Sequence, residues 1–85
     1  MTRYQIASTA VRLLPRILAS TEPWSVANAV LKPLINEKVF TPYEVEKVEA
    51  FLWSHRASNT AADAARLHDG ARGLLLDIQP NTLAD

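Results

Sequence analysis

The feature that most limits what this chain can fold into is the spacing of its apolar residues, which recur every three or four positions along most of the sequence. That interval matches the turn of an α-helix and gives each segment one apolar face. No segment of useful length alternates apolar and polar residues, as a half-buried strand would, and the Asp69-Gly70 pair lies inside a helical pattern. The sequence therefore predicts an all-α fold.

The length of 85 residues allows one hydrophobic core. A hydrophobic share of 48% and a formal net charge of +0 are typical of a compact globular domain. We predict a single helical domain over residues 1–78 and a flexible C-terminal tail over residues 79–85, where Pro80 and Asn81 oppose a stable helix.

Prolines divide the predicted helices. Pro15 interrupts an amphipathic segment over residues 4–18, so we expect a kink or two short helices meeting near Leu14. We expect a second helix to follow Pro23, and Pro33 disfavours an unbroken helix in this segment. The predicted architecture is a small, irregular antiparallel bundle of four helices, or of five where prolines break them.

The strongest helix-start signal lies between Phe40 and Val45. Thr41 and Glu44 have the spacing of a capping box, and Pro42 suits the first helical position. Phe40 and Val45 have the spacing of a hydrophobic staple. These devices predict a helix from Pro42 to about Arg56.

An alanine-rich segment over residues 61–76 predicts the last helix, whose apolar residues repeat like a short coiled-coil seam. This helix could complete the core or pair with its own copy, and we predict a homodimer through it. The seam residues are Ala64, Leu67, Ala71, Leu74 and Ile78. The predicted core consists of Leu13, Leu14, Ile17, Trp24, Leu31, Leu34, Val45, Val48, Phe51, Leu52, Leu67, Leu74 and Leu75.

Residues that would indicate catalysis or metal binding are sparse. The chain has no cysteine, and its two histidines, His55 and His68, stand in no recognisable motif. His55 shares a helical face with Val48 and Leu52, so we interpret it as a partly buried, hydrogen-bonded side chain. We predict that the protein is not an enzyme and uses neither a metal nor a cofactor.

The compartment is predicted from three features. No apolar run approaches the roughly 20 residues that span a bilayer, and the N-terminus lacks the pattern of a secretory signal. The lack of cysteine suits a reducing environment. We expect a cytoplasmic protein without a membrane partner.

Trp53 is the most informative residue for function. On the third predicted helix it falls opposite the apolar face and beside Glu46, Glu49 and Ala50. An exposed tryptophan with acidic neighbours is typical of an interface hot spot. The competing interpretation is that another helix or the tail covers the indole. We predict a non-catalytic protein-protein interaction module, a small adaptor or inhibitor of a larger protein, with Trp53, Glu46, Glu49 and Ala50 at the partner-binding surface.

The alternative function is a small nucleic-acid-binding transcriptional regulator. Arg3, Arg12 and Arg16 are the only formally charged side chains before Glu22, so the N-terminal helix could bind phosphate. Neither the third nor the fourth predicted helix carries the cluster of Arg, Lys, Asn and Gln that reads base edges, which disfavours this alternative.

Overall fold

The computed structural model describes the backbone of residues 2–84 and the side chains of residues 2–78. Helices account for most of this part of the chain, and it contains no strand. The helices are α1 (Arg3–Leu13), α2 (Pro15–Leu18), α3 (Pro23–Asn36), α4 (Pro42–Ser54) and α5 (Ala64–Ala84), with a 3-10 turn at Ala61–Asp63 before α5. The predicted all-α helical bundle is confirmed.

Pro15 and Pro33 affect the helices differently. α1 ends at Leu13 and α2 begins at Pro15, so the predicted pair of short helices meeting at Leu14 is confirmed. Pro33, by contrast, lies inside α3, which continues to Asn36. Proline removes the amide that would bond to the carbonyl of Ala29, but both residues are exposed, so water can reach that carbonyl.

The predicted start of α4 is confirmed at atomic detail. The amide of Thr41 donates to Glu44 Oε1 over 2.9 Å, and the amide of Glu44 donates to Thr41 Oγ1 over 3.2 Å. Pro42 occupies the first turn. The helix ends slightly earlier than predicted, at Ser54, with His55 as its C-cap.

The start of α3 is capped from a distant part of the chain. Its N-cap residue, Glu22, makes no side-chain capping bond. Instead, Oδ1 of Asn59 accepts from the Ser25 amide over 3.1 Å, while Nδ2 of Asn59 donates to Ser25 Oγ over 3.3 Å. A residue from the loop between α4 and α5 thereby satisfies one of the amides that a helix start leaves without a partner.

All the helices contribute to one core. Of the predicted core residues, eight are buried: Leu14, Ile17, Leu31, Leu34, Val48, Leu52, Leu67 and Leu75. The other five are half-buried and pack against that cluster: Leu13, Trp24, Val45, Phe51 and Leu74. The core also takes in Ile6, Val30 and Phe40, together with small alanines such as Ala27.

The residues of the predicted dimer seam lie in the core of one chain. Ala64, Leu67, Ala71 and Ile78 are buried within a single chain, and Leu74 is half-buried against the same core. The apolar face of α5 packs against the other helices of the same chain. A homodimer through this stripe stays a prediction, and it would require these side chains to leave the core.

A glycine permits close packing between α4 and α5. A Cβ atom at Gly70 would lie 2.7 Å from Cε2 of Phe51, whereas one at Gly73 would meet nothing within 4 Å. Gly70 therefore makes room for the Phe51 ring, and Gly73 does not serve this purpose.

The C-terminal boundary differs from the prediction in one respect. The backbone of α5 continues as helix to Ala84, past Pro80. The side chains of residues 79–84 and the whole of Asp85 lie outside the described residues, so the mobility of a tail over residues 79–85 stays a prediction.

Candidate functional site

The outward face of α4 presents Trp53 to solvent. The side chain is 67% exposed, while Val48 and Leu52 on the opposite face are buried. Glu46, Glu49 and Ala50, which the sequence placed beside the indole, are exposed as well. The predicted orientation of α4 is therefore confirmed, and no described helix covers the indole.

The exposed indole is held by a neighbouring cation. The guanidinium of Arg56 lies 3.8 Å from the centroid of the Trp53 ring, close enough for a cation-π interaction. Arg56 Nη1 also donates to the backbone carbonyl of Trp53 over 2.7 Å. This contact covers part of one face of the ring and restricts its rotation, so the indole is a positioned group on the surface.

Beside Trp53 lies an open recess between α3 and α4. Its volume is about 330 Å³, and its apolar lining comes from Trp24, Ile35, Leu52 and Trp53 itself. Glu49 and Arg56 line it too, so charged side chains border an apolar floor. An aliphatic or aromatic side chain of a partner could enter this recess while contacting the indole.

Trp24 gives the recess a rigid wall. Its Nε1 donates to the backbone carbonyl of Leu52 over 2.8 Å. That carbonyl belongs to the last turn of α4, where carbonyl groups lack partners within the helix. The hydrogen bond thus fixes the start of α3 to the end of α4 and sets the width of the recess.

Sequence reasoning missed a second exposed aromatic residue on the same helix. Tyr43 is 67% exposed and lies ten residues before Trp53, about 15 Å along the axis. Tyr43, Glu46, Ala50 and Trp53 follow one another at helical spacings of three and four, and this pattern could have revealed the whole face. We call these four residues, with Glu49, the α4 face.

Lys47 borders the α4 face and is engaged on two sides. Its Nζ lies 5.0 Å from the centroid of the Tyr43 ring and 3.5 Å from Asp77 Oδ2. The neighbouring Tyr43 raises the pKa of Lys47, and the Asp77 carboxylate contributes in the same direction. The basic edge of the α4 face is thus tied to α5.

The predicted anion-binding arginines are not equivalent. Arg3 is half-buried, and its Nη2 lies 2.6 Å from Glu44 Oε2. Arg3 therefore connects α1 to the start of α4, and this ion pair would compete with an external anion for its guanidinium. Arg12 and Arg16 are exposed, as that alternative requires. Arg12 Nη2 donates to Thr9 Oγ1 over 3.3 Å.

Both histidines contact residues that are close to them in the sequence. His55 is half-buried, with Nδ1 3.0 Å from the carbonyl oxygen of Phe51, which agrees with its interpretation as a hydrogen-bonded side chain. His68 Nδ1 lies 3.1 Å from Oδ1 of the neighbouring Asp69. Among side chains 2–78, no three histidine or acidic residues come together as metal ligands would.

Comparison with known proteins adds no relative. No family model matches the chain, and no curated protein or solved structure is significantly similar to it.

Every helix in the described part of the chain is too short or too polar to cross a bilayer.

Proposed function

We propose that this chain is a non-catalytic protein-interaction module, a small adaptor or inhibitor that binds a larger protein through the α4 face. The observation that carries the proposal is the exposed Trp53 indole beside an apolar recess. Tryptophan is enriched among the few residues that dominate binding energy at protein interfaces. Since Arg56 and the rigid α4 already restrict the indole, binding would require little further ordering of it.

The charges around the indole indicate what kind of partner surface would fit. Arg56 stacks on the Trp53 ring, and Glu46 and Glu49 are exposed beside it. A partner with an apolar pocket whose rim offers Lys or Arg to these two carboxylates is favoured. A hydrophobic side chain of that partner would fill the recess lined by Trp24 and Ile35. Affinity would come from the apolar contact, whereas the rim charges would select the partner.

The proposal omits the homodimer through α5, because the side chains that were to form it lie in the core of one chain. It is compatible with the cytoplasm, which we propose as the compartment because the sequence contains no cysteine. Nucleic-acid binding receives less support, since the Arg3 guanidinium is already paired with Glu44.

The test is quantitative affinity purification from the native host with the parent chain, Trp53→Ala and Tyr4→Ala as baits. Tyr4 is a matched control, since it is an exposed aromatic residue on α1, at 47% exposure. A protein recovered with the parent and Tyr4→Ala, but depleted with Trp53→Ala, supports the proposal. Equal recovery with all three baits contradicts it.

Salt separates the two classes of partner. An apolar protein contact at Trp53 should survive a rise from low to high salt, because burial of apolar surface does not depend on screened charges. Binding that collapses steeply with salt and disappears after nuclease treatment would favour the nucleic-acid alternative instead.

A further inference from the structure

A second groove lies on the other side of α3, away from the α4 face. It has two adjoining recesses, of about 360 Å³ and about 130 Å³, which share Leu13, Ala29 and Val30 in their lining. One wall comes from α1 and α2, and the other wall comes from α3. Along α3 the groove extends from Ser25 to Glu37, about 18 Å at the helical rise.

The floor of the groove is apolar, and one residue at its centre has a small side chain. Ile6 and Val30 are buried at its base, and Leu13 is half-buried along the α1 wall. Ala29, at the point where the two recesses meet, is exposed and carries only a methyl group. A small residue at this position lets the backbone of another helix approach closely.

The two walls carry opposite charges. Arg16 lines the α2 side, whereas Glu22 and Glu37 line the α3 side near the two ends of that helix. Within the described side chains, no ion pair or side-chain hydrogen bond engages Arg16. Arg16, Glu22 and Glu37 are all exposed, so these charges are available to a partner.

We propose that this groove binds an amphipathic helix of another protein, with an acidic flank facing Arg16 and a basic flank facing Glu22 and Glu37. The length of the groove fits about three turns of helix, with aliphatic side chains at intervals of three and four residues. An anionic amphiphile fits less well, because Glu22 lies at the same end of the groove as Arg16 and would repel its head group. This site is distinct from the α4 face, so the protein would connect two partners.

The probe is a synthetic, end-blocked helical peptide with leucines at helical spacing, glutamates along one flank and lysines along the other. It is titrated into the ¹⁵N-labelled full chain, and binding is followed by amide chemical shifts. The expected shifts concentrate in residues 9–16 and 25–37. Absence of shifts at millimolar peptide would overturn the proposal.

Two variants test the groove without disturbing the core. Ala29→Glu puts a charge at the exposed centre of the groove, in a residue type that favours helix, and should weaken binding about tenfold or more. Trp53→Ala should leave the affinity unchanged. Loss of binding with Trp53→Ala, or unchanged binding with Ala29→Glu, would overturn the assignment to this groove, whatever the outcome at the α4 face. Circular dichroism verifies that both variants are folded.

A charge exchange tests the flanks. Arg16→Glu makes both walls acidic, so it should bind the mixed peptide about threefold more weakly. The same variant should bind a peptide with lysines on both flanks about threefold more tightly than the parent does. Equal affinities in both comparisons would contradict the charge complementarity. Self-association of the parent that Ala29→Glu abolishes would assign the groove to a second copy and likewise overturn the proposal.

Discussion

Trp24 and Leu52, 28 positions apart in the sequence, are joined by a 2.8 Å hydrogen bond from the indole Nε1 to a backbone carbonyl near the end of α4. The bond connects two helix termini that the loop between α3 and α4 does not bring together. It also fixes one wall of the recess beside Trp53. The stability of the fold and the shape of the candidate site therefore depend on the same contact.

Trp24→Phe should lower the free energy of unfolding by about 1–2 kcal/mol, because it leaves a half-buried carbonyl without its donor. Urea denaturation followed by circular dichroism measures this. Trp53→Phe is the matched control and should stay within about 0.5 kcal/mol of the parent, since that side chain is exposed. Equal effects at the two positions would contradict the structural role of Trp24.

The Arg3–Glu44 pair should be energetically coupled. Glu44 is only 5% exposed and accepts from both Thr41 and Arg3. Glu44→Ala should cost about 2–3 kcal/mol, because the Thr41 amide and the Arg3 guanidinium both lose their acceptor. A double-mutant cycle with Arg3→Met and Glu44→Gln should show a coupling of about 1 kcal/mol. Additive effects would show that the contact contributes nothing to stability.

The two glycines of α5 should respond differently to alanine. Gly73→Ala should stabilise the protein by up to about 1 kcal/mol, since alanine favours helix and its Cβ meets no atom within 4 Å. Gly70→Ala should stabilise less or destabilise, because its Cβ would lie 2.7 Å from the Phe51 ring. Thermal unfolding of both variants gives the comparison, and identical shifts in Tm would contradict the packing argument.

Asp63 should contribute to stability at neutral pH and not in strong acid. Hydrogen bonding from Thr60 lowers the pKa of Asp63 below its ordinary value of 3.8, and Arg66 acts in the same direction. A carboxyl whose pKa is lower when folded stabilises the fold above its unfolded pKa, and this contribution disappears as the pH falls through the lowered value. The stability difference between the parent and Asp63→Asn should therefore shrink in acid. Glu46→Gln controls for the loss of a surface carboxylate, and a pH-independent difference for Asp63→Asn would contradict the prediction.

Features fixed by neighbouring residues could be predicted from the sequence. The Thr41–Glu44 capping box and the break at Pro15 involve residues within a few positions of each other. The outward orientation of Trp53 follows from the helical spacing of Val48 and Leu52. The sequence could not predict which helix faces pack against each other in the folded chain. The second oxygen of Glu44 binds an arginine 41 positions away, and no local pattern announces that partner.

The apolar stripe on α5 is a second case in which the sequence does not identify the surface that a helix packs against. Its spacing of threes and fours is identical for a helix that dimerises and for one that packs against its own chain. Only the arrangement of the other helices distinguishes the two, and here they bury Leu67 and Ala71 completely. The recess beside Trp53 escaped sequence analysis for a related reason, since Trp24 and Ile35 reach it from a different helix.

The hydrogen bonds between Asn59 and the start of α3 determine where a reporter domain can be inserted or the chain circularly permuted. Asn59 must stay within hydrogen-bond distance of Ser25. An insertion between His55 and Thr60 would therefore remove the cap of α3 as well as lengthen a loop. The stretch around Lys38 carries only exposed side chains from Asn36 to Val39. The peptide bond between Lys38 and Val39 is the better insertion point for a foreign domain, because it leaves the C-cap of α3 at Glu37 and the N-cap of α4 at Thr41 intact.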